Sequence, residues 1–255
     1  MAAHPATQPD DKPASMRSIV GASAIGTTIE WYDFLIYATA ASLVLNKLFF
    51  PTHDPLVGKL LAIGTIGVGF FARPLGAIIL SHYGDRLGRK SMLILTLVSM
   101  GVATMLIGLL PTYETIGIAA PILLVACRLV QGIAVGGEWG GAVLMAIEHS
   151  PPNRRGFYGS IVQVGFPLGM ALGTASFFAL AYLDDASFMA WGWRVPFIAS
   201  AALVVIGVFI RLRIEETPEF RRNVRDGTIA RYPVLETIRR HPKDLLFGLG
   251  ARITE

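Results

Sequence analysis

The 255-residue chain has one cysteine, Cys127, so it cannot form an internal disulfide, and that residue reads as a small packing group in an apolar run. Histidine is sparse as well. His4, His53, His82, His149 and His241 are scattered over tails and loop edges and form no Cys/His cluster at metal-ligand spacing, so no metal site is expected. Gly165-Phe166-Pro167-Leu168-Gly169 and Gly137-Glu138-Trp139-Gly140-Gly141 follow no strand and lack the lysine of a phosphate loop. Close helix packing accounts for those glycines better, and no cofactor is expected. A nucleophile with its base is also missing near either end of the apolar runs, which argues against a membrane enzyme. The first sixteen residues lack the charged start, short apolar core and cleavage pattern of a secretory signal and read as a disordered tail.

Charge is the scarcest commodity: 16% of residues are charged against 53% hydrophobic, with a mean hydropathy of +0.55. That exceeds the apolar share of an ordinary soluble domain and points to a lipid solvent. No charged residue occurs between Lys90 and Glu114, between Arg155 and Asp184, or between Arg194 and Arg211. Such stretches approach or exceed the roughly 20 residues that cross a bilayer, and one buried core helix would mimic this once, not repeatedly. Six spans are predicted, near Ile19–Asn46, Lys59–Ser81, Ser91–Leu110, Ile118–Glu148, Gly156–Leu183 and Gly192–Leu212. The expected organisation is a tail at 1–18, an all-α transmembrane bundle of six helices over 19–212, a basic loop over 213–244 and the start of a further helix at 245–255.

Lys12 and Arg17 precede the first span, Arg86, Arg89 and Lys90 separate the second and third, and Arg154 and Arg155 separate the fourth and fifth. The alternate loops hold Lys47, Lys59 and Arg194 together with Asp184 and Asp185, so the positive-inside rule places both ends of the bundle in the cytoplasm of an inner-membrane protein. Arg211, Arg213, Arg221, Arg222, Arg225, Arg231, Arg239, Arg240 and Lys243 then form a basic segment interspersed with acids. Contact with anionic lipid headgroups explains it better than nucleic-acid binding.

Ionisable groups inside the spans carry the functional signal: Glu30 and Asp33 in the first, Arg73 in the second, Arg128 and Glu138 in the fourth. A centrally placed charge costs about 2.5–3.5 kcal/mol on translocon scales, so Glu30, Asp33, Arg128 and Glu138 facing lipid would together cost roughly 10–14 kcal/mol. They must pair, lose charge or face water. Arg128, Gln131, Val135 and Glu138 recur at helical spacing along one stripe, and Glu30, Asp33 and Tyr37 form another. Facing each other, the stripes would offer protonatable carboxylates beside a guanidinium suited to bidentate carboxylate binding. Trp31 and Trp139 neighbour the acids and are candidates to line the same cavity, whereas Trp191 and Trp193 are expected to anchor a membrane interface. A purely structural pair between Arg128 and a carboxylate is the competing explanation. Arg73 lies toward the cytoplasmic end, where snorkelling to headgroups would account for it.

Gly84-Asp85-Arg86-Leu87-Gly88-Arg89-Lys90 resembles the signature loop of the major facilitator superfamily, and Arg128-Leu129-Val130-Gln131-Gly132 resembles its second motif. Glu30-Trp31-Tyr32-Asp33-Phe34, Gly136-Gly137-Glu138-Trp139, Arg154-Arg155-Gly156, Trp191 to Phe197 and Glu215 to Phe220 are together similar to its metabolite:proton symporter family. That resemblance implies a twelve-helix protein of two halves, of which this chain looks like the N-terminal one, carrying a small carboxylate or zwitterion together with protons. It implies a cytoplasmic gate at Gly84, Asp85, Arg86, Gly88, Arg89 and Lys90 that docks on the C-terminal six-helix half. From the residues alone, Gly84 and Gly88 would permit tight turns, Asp85 would complement a helix N-terminus and the three cations would fix the loop at the cytoplasmic face. Gly165 to Gly169 partly resembles an antiporter motif, but Phe166 breaks its Gly-Pro order, so symport is favoured. A proton-coupled antiporter and a non-transporting receptor or scaffold are the alternatives. Alternating access needs two bundles, so these 255 residues are expected not to transport by themselves; sustained proton-coupled uptake by liposomes holding only this chain would overturn that.

Overall fold

The computed structural model describes residues 16–52 and 54–227. The expectations for 1–15 and 228–255, including the further helix at 245–255, lie outside the described residues. Every regular element described is helical. The first, α1 (Met16–Ala40), runs on through a π-helical stretch, Ala41–Leu45, and Asn46–Leu48. Then come α2 (Pro55–Leu87), α3 (Arg89–Leu109), α4 (Ala119–Glu148), α5 (Arg155–Val162), α6 (Gly165–Leu180), α7 (Val195–Leu212) and α8 (Pro218–Arg225). Among the described residues, five stretches are long and apolar enough to cross a membrane: α2, α3, α4, Pro152–Leu180 and Gly192–Leu212. The less apolar α1, with Glu30 and Asp33, completes the six-helix bundle.

Local chemistry sets the ends of these helices. Asp54 accepts the Leu56 amide at 2.8 Å, and Pro55, with no amide to satisfy, occupies the first turn of α2. Asp184 accepts the Ser187 amide at 2.9 Å and caps Asp185–Ala190, and these bonds hold its carboxyl below the usual carboxylate range. Thr217 caps α8 through the Phe220 amide. The fifth crossing is not the continuous helix expected over Gly156–Leu183. It breaks between α5 and α6, because Pro167 cannot bond to the Gln163 carbonyl four residues earlier and its ring crowds it; that carbonyl takes the Phe166 amide at 3.1 Å instead.

The turn between α2 and α3 also differs from expectation. Helix α2 continues to Leu87, and only Gly88 separates it from α3, with φ +100°, a value that L side chains avoid. Gly84 is an ordinary buried helical residue and uses no such freedom.

Helix α2 packs chiefly on α4, α1 on α6, and α3 lies between α4 and α7. The closest crossing is α2 with α4, where a Cβ added to Gly132 would collide with the Gly69 carbonyl and one added to Gly136 with the Arg73 carbonyl. Small residues therefore bring the backbones into contact, the usual device where lipid removes the hydrophobic drive for helix association. One end of the bundle is sealed by Leu45, Phe49, Phe197 and the fully buried Trp193. Trp193 stacks edge-on to Phe49 and Phe197 and so is a core residue, not the interface anchor expected; Trp191 is half exposed.

Candidate functional site

Near the middle of the bundle, α1, α2, α3 and α4 enclose a cleft whose polar lining is Glu30, Asp33, Arg73, Arg128 and Gln131. Phe34, Phe70, Met100 and Val135 supply apolar walls, and Gly69 and Gly132 supply the close approach that brings α2 to it. Glu30, Asp33, Arg128 and Gln131 are all buried. Burial of this many polar groups in an apolar bundle demands partners, and most of the partners can be traced.

A continuous run of hydrogen bonds links the guanidinium to a carboxylate. Arg128 Nη1 donates to Gln131 Oε1 at 2.8 Å, Gln131 Nε2 donates to Thr104 Oγ1 at 2.7 Å, and Thr104 Oγ1 donates to Asp33 Oδ2 at 2.6 Å. Every bond points from the cation toward the anion, an arrangement in which each link polarises the next. Asp33 and Arg128 are therefore joined through two neutral side chains. The Met100 carbonyl lies 3.0 Å from the same Thr104 hydroxyl, so its single proton has a second acceptor when Asp33 does not need it.

Tyr37 holds the other side of the guanidinium. Arg128 Cζ lies 3.9 Å from the Tyr37 ring centroid, and the Tyr37 hydroxyl is bonded to Thr65, which in turn donates to the Ala62 carbonyl at 2.5 Å. Among the described residues, three polar atoms stay without partners at the cleft: Glu30 Oε2, Asp33 Oδ1 and Arg128 Nε. They are two carboxylate oxygens able to take protons and one N–H able to receive a ligand oxygen.

Several side chains sit elsewhere than expected. Arg73 does not snorkel away: it is half-buried, stacks 4.3 Å from the Phe70 centroid and faces the cleft within electrostatic reach of Glu30. Glu138 shares the Arg128 stripe but not the cleft, because Arg211 on α7 claims it at 2.5 Å. Trp31 packs edge-on to Phe166 at 4.5 Å and is no part of the cleft lining. The side chain of Trp139 lies outside the described residues. Thr104 was missed because a threonine in an apolar helix commonly just bonds its own preceding turn. Arg211 was counted with the basic segment, although it is buried and also donates to the Leu93 carbonyl.

At the end of the bundle bearing Gly88, the α3 amides of Arg89 and Lys90 are accepted by Glu216 at 3.0 and 3.1 Å, so Glu216 fills the place expected of Asp85. Asp85 instead faces Arg89 at 3.9 Å, Arg89 pairs with Glu148, Lys90 Nζ donates to the Leu212 carbonyl at 2.9 Å, and Arg86 is exposed. At the opposite end, Arg194 donates to the Gly108 and Leu110 carbonyls at 2.7 and 2.8 Å, closing the C-terminus of α3.

Residues 19–244 match the family described as sugar (and other) transporter. The shikimate transporter of Escherichia coli (strain K12) is 46% identical over 98% of this chain and 58% of its own length. The proline/betaine transporter of the same strain is 41% identical over 82% of this chain and 42% of its own length. The chain thus spans about half the length of the curated relatives it matches. Among solved structures, the xylose transporter XylE from Escherichia coli in an inward-open conformation superposes with a TM-score of 0.72 over 94% of this chain and 55% of that one. Its sequence is 16% identical, so this likeness speaks for the fold.

Proposed function

Because the chain is a multi-pass membrane protein belonging to the major facilitator superfamily, within its sugar (and other) transporter family, we propose that it forms one bundle of a proton-coupled symporter for a small carboxylate or zwitterion. The observation that carries this is the oriented bond run from Arg128 through Gln131 and Thr104 to Asp33. With Asp33 ionised, the run ties the guanidinium electrostatically to its own carboxylate. A proton on Asp33 cancels that charge, the Thr104 proton turns to the Met100 carbonyl, and Arg128 is left in a low-dielectric cleft with an unbonded Nε and no anionic partner. A substrate carboxylate then supplies the missing charge, so proton and substrate favour each other's binding. Shikimate, proline and betaine, named in the relatives, all carry a carboxylate.

The inner membrane is the setting, with the Gly88 end in the cytoplasm, since Arg86, Arg89, Lys90, Arg154, Arg155 and Arg213 gather on the connections there. A second six-helix bundle closes the cleft and alternates its access, and the Gly88 turn with Glu216 forms the cytoplasmic gate. The whole protein, reconstituted in liposomes with an acidic exterior, is expected to accumulate radiolabelled shikimate, proline or another small carboxylate and to acidify the lumen as it does so. Expulsion of substrate under that gradient would favour antiport. Absence of movement for every carboxylate and zwitterion tried would reject the proposal.

A further inference from the structure

We infer that Glu138, with Arg211 as its counter-charge, is the station through which the proton leaves the cleft for the cytoplasm; this rests on the symport proposal above. Glu138 is fully buried on α4, one of its oxygens taken by Arg211 and the other, Oε2, without a partner. Glu30 likewise keeps Oε2 unpartnered. The Glu138–Arg211 pair presses on α1 at Gly26, where an added Cβ would stand 2.8 Å from Glu138 Oε1. Gly26 and Glu30 are four residues apart on one helix face, so Glu138 meets α1 about one helical turn from Glu30. Each is within electrostatic reach of the other, and Arg73, Arg211 and Asp33 are the further charges facing Glu30.

Glu138 lines neither of two cavities, but Val135 on its own helix lines one and its partner Arg211 lines the other. The first is the cleft containing Glu30 and Val135, the latter one turn before Glu138 on α4. The second cavity is lined by Ser23, Lys90, Leu93 and Arg211 toward the Gly88 end. The proton that Asp33 gives up passes to Glu30 in the same cleft and on to Glu138, which restores both cleft carboxylates, that of Glu30 facing Arg73, and makes Glu138 neutral. Arg211 then keeps the Leu93 carbonyl as acceptor. Release of the proton to water in the second cavity regenerates the Glu138 carboxylate and its pairing with Arg211. One proton moves, no electron does, and no co-reactant besides water is required.

The test uses the whole protein in proteoliposomes carrying an internal pH dye. Glu138→Gln keeps an acceptor oxygen for Arg211 but cannot carry the proton. It is expected to retain substrate counterflow, which needs no net proton movement, and to lose both proton-driven accumulation and substrate-induced lumen acidification. If this variant does not fold, the double variant Glu138→Gln, Arg211→Gln removes both charges together and is expected to show the same split. Wild-type acidification by either folded variant would overturn the inference. Loss of counterflow along with accumulation would overturn it too, by showing that the pair only ties α4 to α7. No transport by the unaltered protein would instead overturn the symport proposal.

Discussion

Replacing Thr104 by valine isolates the central link of the cleft, because the two side chains have nearly the same shape and differ in one hydroxyl. The change leaves Asp33 Oδ2 and Gln131 Nε2 without the partners they hold at 2.6 and 2.7 Å, while Asp33 Oδ1 already has none. In soluble proteins each orphaned buried group costs about 1–3 kcal/mol. Hydrogen bonds between membrane helices average only about 0.6 kcal/mol and reach about 1.7 kcal/mol, so the lower scale governs here and two lost links sum to about 1–3 kcal/mol. No cavity term adds to this, since volume is conserved. Purified whole protein carrying Thr104→Val should unfold at lower temperature and couple substrate uptake less tightly to lumen acidification, and Thr104→Ser should recover both. A valine variant as stable and as tightly coupled as the unaltered protein would show that the bond run is incidental.

Arg128→Lys keeps a cation but loses the planar fork and the stacking on Tyr37, so the dissociation constant for a carboxylate substrate should rise by about tenfold in a binding titration. Gly132→Leu drives a side chain into the Gly69 carbonyl and should destabilise the bundle by at least about 1–3 kcal/mol in a thermal-unfolding assay. Glu216→Gln weakens the cap on α3 by about 0.5–2 kcal/mol and should speed hydrogen exchange at the Arg89 and Lys90 amides, with little change in the cleft. Trp193→Ala removes a fully buried ring from between Phe49 and Phe197 and should cost about 3–5 kcal/mol.

The helices were legible from uncharged runs, and the meeting of Glu30, Asp33, Arg128 and Gln131 from helical spacing, because both follow from rules acting within one element. What stayed hidden depends on which element comes alongside. Thr104 joins the cleft only because α3 lies beside α1 and α4, and no local pattern marks it out from Thr96, which bonds its own helix at Leu93. Glu138 leaves its stripe because a cation on α7 reaches it first. A clue to Arg211 existed in length: the uncharged run between Arg194 and Arg211 holds too few residues for the roughly 20 a bilayer needs, so one flanking arginine had to lie within the apolar layer. The break before α6 could also have been read from Pro167, whose missing amide acts one turn upstream.

Where α2 crosses α4, main chain rests on main chain at Gly69, Gly132 and Gly136. Side chains can trade rotamers to absorb a displacement, but peptide planes in contact have no such slack. Neither helix can tilt or slide past the other without a clash or a void, so the alternating access proposed above would have to carry these two helices together as a single stiff plank.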